Sequence, residues 1–113
     1  MNLILPNKNY TVDEEGWLED LSEWDEYFAI FCAKQDNIEL NDKFWSVIYF
    51  FREYYEEYQT PPRDTIIIKE MRKRWKIKQL IDVKSLCESI FLYGKVGMYW
   101  TISKYAGTPK PTC

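Results

Sequence analysis

The 113-residue chain carries 18 acidic and 15 basic residues and no histidine, which removes imidazole from acid–base, nucleophile-activating and metal-binding roles. Its length fits one domain, and 6 Phe, 9 Tyr and 5 Trp make for a bulky core. The charge is uneven: residues 1–60 hold 14 acidic against 4 basic side chains, and residues 61–113 hold 4 against 11, which describes either two solvated faces or a docking surface for a charged partner.

Met1 to Leu5 is too short for a signal-peptide core and lacks a basic lead, and no apolar run approaches the ~20 residues of a membrane span. The expected location is the cytoplasm, with no membrane partner. Asn9 to Val12, the turn Asp13-Glu14-Glu15-Gly16 and then Trp17-Leu18 predict a short antiparallel hairpin, with Gly16 supplying a positive φ. Ser22-Glu23-Trp24-Asp25 resembles a capping box at a helix start. Trp24, Tyr27, Phe28, Phe31 and Cys32 follow at helical spacing and define one buried face; Cys32 is expected to act there as a small core hydrophobe.

Asn41 or Asp42 caps the next helix, whose apolar stripe is Phe44, Val47, Ile48, Phe51, Tyr55 and Tyr58. Gln59-Thr60-Pro61-Pro62 stops it. Thr60 and Pro61 also suit the start of a third helix, with Asp64 in its first turn. Ile68, Met71 and Trp75 form the inner face of that helix. Its outer face is basic, with Lys69, Arg72, Lys73, Arg74, Lys76 and Lys78. Asp82 is a cap for a further helix with Val83, Leu86, Cys87, Ile90 and Phe91 inside, broken at Tyr93-Gly94. A last short helix is expected from about Gly97 to Ala106, closed by Gly107 with Pro109 just beyond.

Thr108-Pro109-Lys110-Pro111-Thr112-Cys113 cannot continue a helix or join the middle of a sheet. It favours an extended, polyproline-like arm at ~3.1 Å per residue. Of the three cysteines only Cys113 lies off any apolar stripe. Three widely spaced thiols form neither a disulfide framework nor a zinc site, and the four glycines form no phosphate-cradling loop; no cofactor or metal is expected. An exposed thiol is a liability unless it is used. A thiol's ordinary pKa of about 8.5 leaves only a small thiolate fraction near neutrality. A chain-terminal carboxylate on the same residue lowers that fraction and Lys110 partly opposes the effect. The residues alone leave both an incidental tail thiol and a working one open.

Ala106-Gly107-Thr108-Pro109-Lys110-Pro111-Thr112-Cys113 resembles the C-terminal arm of the DsrC/TusE family of sulfur-relay proteins, in which Ala-Gly-x-Pro-Lys-Pro precedes a cysteine that takes up sulfur as a persulfide. Gly16-Trp17-Leu18, Ser22-Glu23-Trp24, the Phe-Arg-x-Tyr-Tyr stretch from Phe51 to Tyr55, and Thr60-Pro61-Pro62 are similar to further family segments. One branch of the family has a second cysteine four residues before the arm glycine. Ser103 stands there in this chain, which resembles the TusE branch. The chain departs from the family pattern in three places. Thr112 abuts Cys113, no residue follows Cys113, and Gly97-Met98-Tyr99-Trp100 lacks the family's proline and lysine. These differences bear on reach and docking.

The resemblance implies a mainly helical α+β fold, with a small N-terminal sheet against about five helices. It implies a single body over residues 1–106 and a flexible arm over 107–113. The implied activity is that of a sulfurtransferase in a relay. Cys113 accepts persulfide sulfur, Gly107, Pro109, Lys110 and Pro111 aim the arm, and Lys69, Arg72, Lys73, Arg74 and Lys76 are candidates for partner docking. The donor implied is a TusBCD-like complex. The acceptor is an MnmA-like thiouridylase that makes 2-thiouridine at the wobble position, with tRNA met only indirectly. A different reading takes 41–58, the proline turn and the basic helix 62–78 as a helix-turn-helix-like nucleic-acid module.

Overall fold

A computed structural model describes residues 1–76 and 95–109, except for the side chains of Asp64 and of residues 95–99. Two three-residue strands, β1 (Asn2–Ile4) and β2 (Asn9–Thr11), pair antiparallel with Leu3 opposite Tyr10. Four helices follow among the described residues: α1 (Glu26–Gln35), α2 (Asp42–Tyr58), α3 (Asp64–Arg74) and α4 (Lys95–Tyr105). A 3₁₀ turn at Leu21–Glu23 precedes α1. The architecture is the mainly helical α+β fold expected. The helix predicted from Asp82, with Cys87 on it, lies outside the described residues.

The N-terminal sheet corrects the predicted hairpin. The Asp13–Gly16 turn is present: Gly16 N–H donates to the Asp13 carbonyl at 3.0 Å and Gly16 takes φ +87°. Asp13 Oδ1 accepts from the Glu15 and Trp17 amides. The Trp17-Leu18 side, however, forms a single bridge, Val12 to Leu18. The strand that pairs with Asn9–Thr11 is Asn2–Ile4, reached through a turn in which Leu5 N–H bonds the Lys8 carbonyl.

The start of α1 is also displaced from the predicted cap. Asp25 is the N-cap, accepting from the Phe28 amide, while Ser22 lies in the 3₁₀ turn capped by Asp20. Glu23 does not close a capping box; it accepts from Thr11 N at 2.7 Å and ties the turn to β2. The buried face of α1 is Phe28, Ala29, Cys32 and Ala33. Tyr27, expected on that face, is 63% exposed, because at about 100° per residue it points away from the centre of the Phe28-Ala29-Cys32-Ala33 face.

In α2, Asn41 Oδ1 caps the Phe44 amide at 2.8 Å. Phe44, Val47, Ile48 and Phe51 are fully buried, as their spacing predicts. Tyr58 is instead 55% exposed and packs on Tyr54 with ring centroids 4.5 Å apart. Gln59 closes the helix in the left-handed region. The third helix does not begin at Thr60-Pro61. Pro61 precedes another proline and is therefore held extended, so the N-cap falls at Arg63, with no side-chain capping bond. Ile67 and Met71 are the fully buried residues of α3, and Ile68 and Trp75 pack against the core from partly buried positions. The helix ends at Arg74, and Lys78 lies outside the described residues.

The core is one cluster that joins α1, α2, α3 and α4 with Tyr10, Val12 and Leu18. Each large apolar side chain in it contributes about 1.5–3 kcal/mol through burial. Tyr105 of α4 stacks on Phe44 of α2 and donates its hydroxyl to Asp36 at the end of α1. Tyr10 donates its hydroxyl to Asp25. These two tyrosines tie the sheet and the last helix to opposite ends of α1. No helix among the described residues is long and apolar enough to cross a membrane.

Candidate functional site

The expected arm begins at the C-terminus of α4, and that helix end is built in unusual detail. Ala106 N–H bonds the Ile102 carbonyl at 2.8 Å, Gly107 N–H bonds Lys104 at 3.1 Å, and Thr108 N–H bonds Ser103 at 3.1 Å. The last two bonds and the left-handed Gly107 (φ +73°) make a Schellman cap. Thr108 Oγ1 donates to the same Ser103 carbonyl. Gly107 thus serves as the closing residue that the spacing predicts.

Two carbonyls remain at such an end, and side chains distant in sequence meet both. Trp24 Nε1 donates to the Tyr105 carbonyl at 2.6 Å, and Arg52 Nη1 donates to the Ala106 carbonyl at 2.7 Å. The Arg52 guanidinium lies 4.1 Å from the Trp24 ring centroid, a cation–π stack. Burial pulls the Arg52 guanidinium below its ordinary pKa, while Glu56 and Tyr49 push it the other way. It remains a cation beside a helix C-terminus, where positive charge is favoured. Gly107 rests directly on the indole: a Cβ there would stand 2.8 Å from Trp24 Cδ1 and 3.1 Å from Leu18 Cδ2.

Gly107 and Thr108 are consequently buried, and Thr108 is only 3% exposed. The body grips the chain through Thr108, two residues beyond the expected boundary at Ala106, and Pro109 is the first exposed residue after it. Lys110, Pro111 and Cys113 lie outside the described residues. Ser103, where one branch of the resembled family has its second cysteine, is fully buried, and its hydroxyl has no hydrogen-bond partner among the described residues.

The thiol among the described residues, Cys32, is unsuited to chemistry. Cys32 is 3% exposed within the core. Burial, with a smaller contribution from Asp36 and against the pull of Lys104, pushes it up to about 12. Its thiolate is effectively absent near neutrality, as its place on the apolar stripe predicts.

The proposed docking residues are divided. Lys69, Lys73 and Lys76 are exposed on α3 and just beyond it, and Arg72 is half-buried. Arg74 is committed within the fold: it pairs with Glu53 at 2.8 Å and Glu70 at 2.9 Å and lies over the Phe50 ring. The acidic first half and the basic second half therefore meet in part within the fold, at its surface, through Arg74 and Glu53.

Trp24 and Arg52 were not singled out as site residues from the sequence. Both lie in segments that carry the family resemblance, Ser22-Glu23-Trp24 and Phe51 to Tyr55. Each also had a simpler account, as a core aromatic and as an ordinary basic residue of α2.

Comparison with known proteins agrees over nearly the whole chain. A family model described as DsrC like protein matches residues 5–113. Proteins named sulfurtransferase TusE are similar over 109 residues, covering 96% of this chain. The one from Salmonella typhimurium is 30% identical with 95% of its length covered, and the one from Photorhabdus laumondii is 29% identical with 94% covered. The NMR structure of Allochromatium vinosum DsrC superposes with a TM-score of 0.79 at 36% identity, covering 100% of this chain and 98% of that one. The oxidized gamma-subunit of the dissimilatory sulfite reductase from Archaeoglobus fulgidus superposes at 0.76 with 25% identity and the same coverage.

Proposed function

The chain belongs to the DsrC-like protein family and is a sulfurtransferase of a sulfur relay, and we propose that the sulfur rides as a persulfide on Cys113. The observation that carries this reading is the gripped root at Gly107-Thr108, directly ahead of Pro109-Lys110-Pro111-Thr112-Cys113. A thiol at the end of such an arm is presented to other molecules, while Cys32 is held neutral and inaccessible.

The transfer is neutral in redox terms. The Cys113 thiolate attacks the outer, sulfane sulfur of a donor persulfide. A new bond forms from Cys113 Sγ to that sulfur as the donor's S–S bond breaks. The donor leaves as a thiolate and the proton stays on the moved sulfur. The acceptor's thiolate repeats the step and returns Cys113 to a thiolate. The fold supplies no base for this within the described site, so activation falls to the partner that receives the arm.

Residues 1–106 form the body in this reading and 107–113 the arm, with Gly107 and Thr108 as its anchored root. Pro109, Lys110 and Pro111 aim it, and Lys69, Arg72, Lys73 and Lys76 contribute to docking. The donor is a TusBCD-like complex and the acceptor an MnmA-like thiouridylase acting on wobble uridine, in the cytoplasm, with tRNA met only through that enzyme. The nucleic-acid alternative has less support, because Arg74 is already paired with Glu53 and Glu70.

The test is to load the protein with polysulfide and present it to a persulfide-accepting thiouridylase. The wild type is expected to pass sulfur on and Cys113→Ser to pass none. Transfer by Cys113→Ser at the wild-type rate would remove the mechanism.

A further inference from the structure

We propose that Trp24 and Arg52 are positioning residues for sulfur transfer: by holding the Tyr105 and Ala106 carbonyls they fix where, and in which direction, the chain leaves the body, without touching the sulfur. This rests on the reading that Cys113 carries the sulfur.

An α-helix leaves its last four carbonyls without intrahelical partners. At the end of α4 the carbonyls of residues 102–106 can be accounted for one by one. Ile102, Ser103 and Lys104 are met by the amides of Ala106, Thr108 and Gly107. Those bonds and a left-handed glycine already end a helix. Tyr105 and Ala106 are met by side chains 81 and 54 residues away. This end is not open to water: Tyr105 and Ala106 are fully buried, so both carbonyls need a donor from the protein. The backbone bonds close the cap, and the two long-range bonds satisfy the remaining carbonyls and fix their orientation.

Peptide units are planar, so each held carbonyl fixes a plane. Trp24 holds the 105–106 plane, Arg52 holds the 106–107 plane, and the Thr108 amide bond to Ser103 holds the 107–108 plane. The next residue is Pro109, whose ring fixes φ. Direction is thus set through four consecutive residues before the exposed arm begins. Arg52 is itself fixed twice, by its bond to the Ala106 carbonyl and by its stack on the indole, and the indole is fixed against Gly107.

The geometry gives this hold leverage. Five residues in the polyproline-like form that the sequence Pro-Lys-Pro favours span ~16 Å. A swing of ~10° at the root moves the tip by ~3 Å over that reach, and misplacement by about 1 Å can cost a transfer step about 100-fold.

Trp24→Phe keeps a ring and removes the N–H; Arg52→Lys keeps the charge and removes the planar fork. Each variant is checked for cooperative unfolding with a melting temperature well above that of the assay. Sulfur uptake on Cys113 is then timed from two donors: polysulfide, which reaches a thiol from any direction, and a TusBCD-like protein donor carrying a persulfide. Both variants are expected to take sulfur from polysulfide within about twofold of wild type. From the protein donor, kcat/KM is expected to fall about tenfold or more. If one variant does not fold, the other decides. Wild-type rates from the protein donor would overturn the proposal, and so would equal losses with both donors in a folded variant. If Cys113→Ser takes up as much sulfur as wild type, the carrier reading itself fails and this proposal with it, an outcome distinct from either of the others.

Discussion

Among the described residues four helix ends place a residue in the left-handed region, and they are not built alike. Asn37 follows α1, Gln59 follows α2, Lys76 follows α3 and Gly107 follows α4. The first three are not glycine, and their closing bonds are local, from the backbone and, at Gln59, from its own side chain to the Glu56 carbonyl. At Gly107 a side chain is excluded by contact as well as by φ, and the neighbouring carbonyls are bound by Trp24 and Arg52. The difference separates an end that only stops a helix from an end that aims what comes next. The aimed one is the end that leads to Cys113.

The comparison can be broken or sharpened by substitution, beginning with the largest expected effect. Phe44 is fully buried and stacks on Tyr105 at 5.7 Å, so it supports the gripped end from beneath. Phe44→Ala is expected to cost about 3–5 kcal/mol in urea unfolding. Gly107→Ala adds left-handed strain to a collision with Trp24 and is expected to cost about 2–4 kcal/mol. Asn37→Gly and Lys76→Gly, at the self-closed ends, are expected to stay within about 1 kcal/mol of wild type. Equal costs at Gly107 and at those sites would dissolve the contrast.

Asp25 caps α1 immediately after Trp24, and Asp25→Ala is expected to cost about 1–2 kcal/mol. Burial works to raise the Asp25 pKa, but hydrogen bonds from Tyr10 and the Phe28 amide, with Lys8 nearby, leave it lowered. A carboxylate lowered in the folded state stabilises above its unfolded pKa of about 3.9 and loses that contribution as pH falls through the folded value. The gap between wild type and Asp25→Ala, followed by unfolding against pH, should therefore narrow below about pH 4. A gap that widens there would contradict the assignment. Tyr10, raised to about 12 first by burial and then by its bond to Asp25, stays protonated throughout that range. The smallest change is expected at the end of α3. Arg74→Met removes partly exposed pairs with Glu53 and Glu70 and should cost under about 1 kcal/mol.

Much of the body was legible because its signals are local. The Phe44-Val47-Ile48-Phe51 stripe, the Asn41 cap, the buried Cys32 and the closing Gly107 each follow from spacing within a few residues. The errors fell where distant contacts decide. Ser22 and Asp25 are both competent caps, and the bond from Thr11 N to Glu23 settles which one begins α1. Strand β1 has only three residues and no alternation to reveal it; its pairing with Asn9–Thr11 is set by the fold. The arm motif was readable, and its anchor was not, because no local pattern links Trp24 and Arg52 to carbonyls 81 and 54 residues away.

The most direct test of the central claim is to find which sulfur atom carries the cargo. The protein is treated with polysulfide, persulfides are trapped by alkylation without reduction, and peptides are mapped by mass spectrometry. The expected result is an added mass of about 32 Da on the peptide ending at Cys113, with Cys32 unmodified. Sulfane sulfur found on Cys87 or Cys32 while Cys113 stays bare would contradict the account.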